Sequence, residues 1–162
     1  MIDKSTHEYR VHTNSYDLEL WMRRIGEATT ILLNSPRKKV SIASIGAFIL
    51  PFARMGQIRV FHGSNRYPAA YITWAYLTDA SLEEVARDPS MVLEEEALNA
   101  GDNLVILDAL SNLRDIRPIV AFIRSIIPQG ATRFYGVRFD KSAKVLRLRE
   151  YVVRSGLPRF SE

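Results

Sequence analysis

A continuously apolar run near the middle of the chain constrains the fold more than any other feature. Residues 103–107 read Asn-Leu-Val-Ile-Leu, and Asp108 follows them directly. A short run without alternation between polar and apolar residues is typical of a strand that is buried on both faces. The sequence therefore predicts a sheet with a buried central strand, and a carboxylate at the end of that strand.

Helical and strand patterns surround this central strand. The predicted helices span 17–35, 41–55, 80–88, 91–100 and 115–127, the second of them kinked or ended near Pro51. The other predicted strands form two hairpins, 57–61 with 67–77 and 134–139 with 144–153. Helices come first and a sheet with inserted helices follows, which favours an α+β fold with a mixed, mostly antiparallel sheet. We expect residues 1–15 to be a flexible tail and residues 16–162 to form a single domain.

The composition excludes several kinds of site. The 162 residues include no cysteine, so disulfides, cysteine metal sites and a cysteine nucleophile are excluded. The three histidines, His7, His12 and His62, are not spaced as a ligand set, and we expect no metal. The longest apolar run, 45–53, is too short for a membrane span, and the polar N-terminus does not resemble a secretory signal. These features favour a cytoplasmic protein.

The charge of the chain is unevenly distributed. The net charge is +4, and residues 133–159 carry eight basic side chains against two acidic ones. A basic surface attracts an acidic partner, which can be a nucleic acid, a lipid surface or an acidic protein; a solvated face without a partner is the alternative. Because no RNA-binding signature accompanies the aromatic residues of this segment, we do not expect a nucleic acid partner.

Four stretches, in order along the chain, carry a resemblance to a known family. The most specific is residues 67–75, which read Tyr-Pro-Ala-Ala-Tyr-Ile-Thr-Trp-Ala. The others are Asn-Ser-Pro at 34–36 with Ile-Leu-Pro at 49–51, Gly101-Asp102 followed by Asp108, and Val-Arg-Phe-Asp at 137–140 with the strand that returns from it. Over about residues 18–155 the chain resembles the RTX toxin-activating lysine acyltransferases.

The resemblance implies a fold and a reaction. The family fold is GNAT-like, and its members transfer a fatty acyl group from acyl carrier protein to a lysine. For this chain that implies acyl carrier protein as the donor, no tightly bound cofactor, a protein or ribosomal peptide as the acceptor, and a homodimer. A non-catalytic binding protein that keeps the fold is the alternative.

The chain departs from the family at the residue that removes a proton from the amine. A lysine amine has an ordinary pKa near ~10.4 and must lose a proton before it can attack. Asp108 matches the family's catalytic aspartate, but Lys38 stands where the family has a histidine. Three hypotheses follow: Asp108 acts as the base alone or through a water, His62 acts instead, or the protein does not catalyse.

Further candidate residues lie in the matching stretches. Ser35 matches a family serine that would orient the thioester or the base, although capping of the helix end beside Pro36 also explains it. The candidate substrate-binding residues are Asn34, the basic residues Arg37 and Lys39, the aromatic residues Tyr71 and Trp74, and Arg138. The basic pair, with Lys38, would suit phosphopantetheine and an acidic helix of acyl carrier protein, and a solvated cluster without a partner is the alternative. The aromatic pair would line an acyl tunnel, and packing in the core is the alternative.

The chain departs from the family pattern around the predicted site. Leu98, Val105 and Ala109 stand where the family has tryptophans, and residues 111–114 replace a family turn. These departures predict a divergent member, with another acceptor, another acyl chain or lost activity.

Overall fold

One five-stranded sheet forms the centre of the molecule. The computed structural model describes residues 15–139 and 146–153 of the chain. The strands lie in chain order: β1 (Ile58–His62), β2 (Pro68–Leu77), β3 (Asn103–Ser111), β4 (Arg133–Phe139) and β5 (Leu146–Val152). Neighbouring strands are antiparallel except for β3 and β4, which are parallel. The predicted α+β fold, with its mixed and mostly antiparallel sheet, is confirmed.

Helices cover both faces of this sheet. They are α1 (Ser15–Leu33), α2 (Ile42–Phe48), α3 (Leu50–Arg54), α4 (Asp79–Arg87) and α5 (Arg117–Ile126). Residues of α1 to α4 share a core with one face, around the buried Tyr71, Ala75 and Val105. On the other face α5 packs against Ile72, Trp74 and Ile106. The crossover from β3 to β4 contains α5, as a parallel connection requires.

Local sequence signals explain where α2, α3 and α4 begin. Ser41 caps α2 by accepting a hydrogen bond from the Ser44 amide, and Thr78 caps α4 in the same way from the Ser81 amide. The predicted second helix is divided at Ile49, because Pro51 fits only the first turn of a new helix. The break near Pro51 is therefore confirmed.

The prediction of a helix over residues 91–100 is wrong. Residues 91–94 have no regular structure, and only a short 3-10 helix, Glu95–Leu98, follows. Met91 and Leu93 pack against the same core cluster. A spacing of two residues brings side chains to one side in an extended segment and not in a helix, so this packing overrides the local helix propensity.

The sequence predicted that Asp108 lies at the end of its strand. This prediction is wrong, because β3 continues to Ser111. The predicted N-terminal tail lies outside the described residues except for Ser15, and so does the turn of the second hairpin. Within the described part of the chain, no helix is both long and apolar enough to span a membrane.

Candidate active site

A cavity of about 330 Å³ lies between the first face of the sheet and helices α1 to α3. The segment 89–93 closes one side of it. Its lining is mostly apolar and includes Leu32, Val40, Phe48, Phe52, Leu107 and Val137. The polar side chains of this wall are those of Arg37, Ser44, Tyr71, Thr73, Ser90 and Asp108. A largely apolar cavity with a few convergent polar groups is the usual form of a small-molecule site.

Asp108 is the centre of a buried hydrogen-bond network in that wall. The guanidinium of Arg37 donates to both carboxylate oxygens, from Nη1 to Oδ1 at 2.7 Å and from Nη2 to Oδ2 at 3.0 Å. The hydroxyl of Tyr71 donates to Oδ2 at 2.7 Å. Asp108 is only 7% exposed, so the bidentate pair supplies the counter-charge that a buried carboxylate requires.

A β-bulge turns Asp108 towards the cavity. Opposite β2 the register shifts, so that Thr73 pairs with Asp108 and Trp74 pairs with Ile106. Leu107 is the extra residue, and Leu107 and Asp108 both line the cavity although they are neighbours in the strand. In a regular strand Asp108 would share the face of Ile106, which packs against α5. The bulge therefore places the carboxylate on the cavity side.

The turn after α1 places Arg37 against Asp108. The Ser35 hydroxyl donates to the Leu32 carbonyl at 2.8 Å and accepts from the Arg37 amide at 3.0 Å. Ser35 is buried and is not one of the residues that line the cavity. Its contacts are those of a cap that fixes the turn on which Arg37 stands.

Burial and the neighbouring charges shift two pKa values in the network. Burial, followed by the charge of Asp108, raises the pKa of Tyr71 well above its ordinary range. Burial alone would lower the pKa of Arg37, but the hydrogen bond to Asp108 and its charge outweigh this and raise it. The phenol therefore stays protonated and the guanidinium stays charged throughout the physiological range.

The remaining residues of the predicted basic cluster lie beside the cavity. Lys38 and Lys39 follow Arg37 in the turn and are exposed, and neither lines the cavity. Asn34 is also exposed, and its side chain donates to the Thr30 carbonyl at the end of α1. Of the cluster, only Arg37 reaches Asp108.

Three predicted residues lie elsewhere. His62, at the end of β1, has its Nε2 3.0 Å from Oε1 of Glu27 and does not line the cavity. Trp74 packs on the opposite face of the sheet, with its ring centroid 5.1 Å from that of Phe122. The guanidinium of Arg138 lies 6.0 Å from the ring centroid of Tyr151 in the second hairpin.

Thr73 is a cavity residue that the sequence interpretation missed. It lies two positions after Tyr71 in β2 and therefore faces the same side of the sheet. That spacing within the stretch 67–75 was the available signal. The apolar lining from 89–93 had no such signal, because its placement depends on the irregular backbone of that segment.

Within residues 15–139 and 146–153, no group of three or more histidine, cysteine, aspartate or glutamate residues is arranged to hold a metal ion. The expectation that the protein binds no metal remains a prediction.

Comparison with known proteins agrees with the resemblance that the sequence carries. No curated protein matches the chain. The model of the RTX toxin acyltransferase family matches residues 21–152, a range that includes α2 to α5, all five strands and every residue that lines the cavity. The chain therefore belongs to the RTX toxin acyltransferase family.

Proposed function

We propose that this protein transfers a fatty acyl group from the thioester of acyl carrier protein to the amine of a lysine in a protein or ribosomal peptide. The observation that carries the proposal is the apolar cavity with Asp108 in its wall, in a chain that belongs to an acyltransferase family. The cavity would hold the acyl chain, since its lining offers aliphatic and aromatic carbon over most of its surface.

Asp108 would act as the proton acceptor in this reaction. The amine nitrogen attacks the thioester carbonyl carbon, a C–N bond forms, and the carbonyl electron pair moves to oxygen. Collapse of this intermediate breaks the C–S bond, and the thiolate leaves. The proton lost by nitrogen passes to the Asp108 carboxylate, directly or through a water, and then to the thiolate, so that the products are an amide and a thiol.

One carboxylate oxygen of Asp108 can still accept a hydrogen bond from the substrate. Its Oδ2 accepts two hydrogen bonds, from Arg37 and Tyr71, whereas Oδ1 accepts one from Arg37. A carboxylate oxygen has two lone pairs, so Oδ1 can accept a further hydrogen bond from the incoming amine. Arg37 and Tyr71 would then act as positioning residues that fix the plane of the carboxylate.

The proposed donor and partners follow from the family and from the charge beside the cavity. Lys38 and Lys39 are exposed next to Arg37 and would attract the phosphate of phosphopantetheine and the acidic surface of acyl carrier protein. The acyl carrier thioester is a substrate, so no tightly bound cofactor is needed. A homodimer and a cytoplasmic location complete the proposal.

A non-catalytic acyl-binding protein is the second candidate, and one observation favours it. Three hydrogen bonds, two of them from Arg37 and one from Tyr71, already hold Asp108 in a structural network without any substrate. In addition, no histidine of the described residues lines the cavity. This candidate predicts that the protein binds acyl groups without turnover.

Discharge of a defined acyl–acyl carrier protein distinguishes the two candidates. The wild type is incubated with the thioester and a pool of lysine peptides, and intact mass detects both loss of thioester and acylated product. We expect Asp108→Ala to lower the rate by about 10²–10⁴-fold, the usual contribution of a general base. His62→Gln is the control, and it should keep most of the activity because His62 does not line the cavity.

Two other outcomes contradict the proposal. If Asp108→Ala is folded and as active as the wild type, Asp108 is not the proton acceptor. If the wild type binds the acyl carrier thioester and never consumes it with any peptide, the non-catalytic candidate is supported.

A further inference from the structure

Thr73 is one of the residues that line the cavity, and its buried hydroxyl has no hydrogen-bond partner among the described residues. The residue is fully buried, at 0% exposure. Such a hydroxyl group destabilises the folded state, because its hydrogen bonds to water are lost on folding and no hydrogen bond within the protein replaces them. A buried polar group of this kind in a cavity wall indicates a ligand that supplies the missing hydrogen bond.

The other hydroxyls of the cavity are already engaged. The Tyr71 hydroxyl donates to Asp108, and that of Ser90 donates to the Asp88 carboxylate. The hydroxyl of Ser44 is hydrogen-bonded to that of Ser41. Among the cavity hydroxyls of the described chain, only that of Thr73 is uncommitted.

The position of Thr73 relates this hydroxyl to the reacting atoms. Thr73 pairs with Asp108 across β2 and β3, and both residues line the cavity. Side chains of paired residues on one face of a sheet are direct neighbours. If the amine donates to Asp108, the carbonyl that it attacks lies within reach of the residue opposite.

We infer that the Thr73 hydroxyl donates a hydrogen bond to the carbonyl oxygen of the acyl thioester. The inference rests on the proposed function and identifies the group that polarises the thioester carbonyl of the acyl donor. When nitrogen attacks, the carbonyl electron pair moves to oxygen, and the Thr73 hydrogen bond stabilises the negative charge that develops there. When the C–S bond breaks, the pair returns to re-form the carbonyl, and Thr73 keeps its own proton throughout.

The inference can be tested by binding, without turnover, using two stable probes. One is S-tetradecylpantetheine, a thioether of the same chain length that has a methylene in place of the carbonyl. The other is S-(2-oxotetradecyl)pantetheine, a ketone that presents a carbonyl oxygen near the sulfur. Titration calorimetry of the full chain gives the affinity for each probe, and the ratio of the two isolates the contribution of the carbonyl.

We expect the wild type to bind the ketone about five- to tenfold more tightly than the thioether, as one hydrogen bond allows. Thr73→Val replaces the hydroxyl by a methyl group and should abolish this preference while leaving thioether binding unchanged. Thr73→Ser keeps the hydroxyl and should keep the preference. A preference that persists in Thr73→Val overturns the inference alone, as does a wild type that binds both probes equally. A wild type that binds neither probe overturns the proposed acyl site and the inference with it.

Thermal denaturation of Thr73→Val provides a second test. A hydroxyl that stabilises the fold and one that has no partner predict opposite changes in Tm. If the Thr73 hydroxyl has no partner in the free protein, Thr73→Val should raise Tm by roughly 2–4 °C, because an unpaired polar group is removed. A lower Tm would show that the hydroxyl bonds within the protein, which contradicts the inference.

Discussion

At the scale of single residues, Asp108 and its two partners are interdependent. The side chain of Arg37 is 20% exposed and that of Asp108 is 10% exposed, so both charges lie largely out of water. A buried ion pair of this kind contributes little net stability, but loss of one partner leaves a charge that the interior does not solvate. The benefit of the pair is therefore a carboxylate held in one orientation.

Tyr71 makes this network sensitive to alkaline pH. Burial, followed by the charge of Asp108, raises the pKa of Tyr71 above its ordinary value of 10.0. The folded state thus binds the phenol proton more tightly than the unfolded state does. The stabilisation that this confers is complete below pH 10 and is lost as the pH rises above it.

Tyr71→Phe tests this pH dependence. At pH 7 we expect the variant to be less stable by about 1.5–3 kcal/mol, because a hydrogen bond to a charged group is lost. Above pH 10 the gap between wild type and variant should narrow, by up to about 1.4 kcal/mol per pH unit. Urea denaturation at pH 7 to 11 measures the gap. Tyr67→Phe, at a 65% exposed ring, is the control and should leave the stability at pH 7 unchanged. A gap that stays constant over this range contradicts the prediction.

At the scale of the elements, the bulge in β3 shows where sequence interpretation reaches its limit. The apolar run identifies β3 and its burial correctly. It carries no alternation, however, so the faces of its residues cannot be assigned from the pattern. The sequence also placed Asp108 at the strand end, where a carboxylate would be accessible. The register shift puts it inside the sheet, facing the cavity beside Leu107.

The glycine of the Gly101-Asp102 motif joins two elements at close contact. A Cβ atom at Gly101 would overlap the backbone of Leu77 and Thr78, at the point where β2 ends and α4 begins. The Gly101 amide also donates to the Tyr76 carbonyl at 2.9 Å. Packing therefore explains why a glycine stands at position 101.

Gly101→Ala should lower the free energy of unfolding by about 3 kcal/mol. The added Cβ atom would overlap backbone atoms of Leu77 and Thr78, which move less easily than a flexible side chain does. Gly46→Ala is the matched control. Gly46 lies in α2, a Cβ atom added there would meet nothing within 4 Å, and the variant should gain about 0.5–1 kcal/mol from helix propensity. Chemical denaturation measures both variants. If both substitutions change the free energy of unfolding by the same amount, the close contact at Gly101 does not destabilise the alanine variant.

At the scale of the whole molecule, the layered architecture could be predicted and the cavity could not. Periodicity places most helices and strands and separates the apolar faces that pack together. The cavity is formed by segments far apart in the chain, from Leu32 in α1 to Val137 in β4. Its walls depend on how those segments pack, and the pairing of Arg37 with Asp108 spans 71 positions. Neither the packing of these segments nor the long-range ion pair produces a local pattern in the sequence.

The distribution of charge leads to a prediction about the partner. Two exposed pairs of basic residues can be compared: Lys38 and Lys39 beside the cavity, and Arg147 and Arg149 on β5, one of the two edge strands of the sheet. In the proposed reaction acyl carrier protein would present its thioester to the cavity, so the lysines should steer its approach and the arginines should not. Charges at the rim of an interface act mainly on the rate of association, and salt screens them.

Two double variants remove the same amount of charge from the two places. Lys38→Gln with Lys39→Gln should lower kcat/KM for acyl–acyl carrier protein by about 3–10-fold at low salt, with the difference shrinking at high salt. The same variant should consume the small substrate acyl-pantetheine as the wild type does, because that substrate lacks the acidic protein. Arg147→Gln with Arg149→Gln should change kcat/KM less than twofold for either substrate. A larger loss in the arginine variant would place the docking surface on the second hairpin, and equal losses would indicate an effect of net charge alone, since both variants lower it by two.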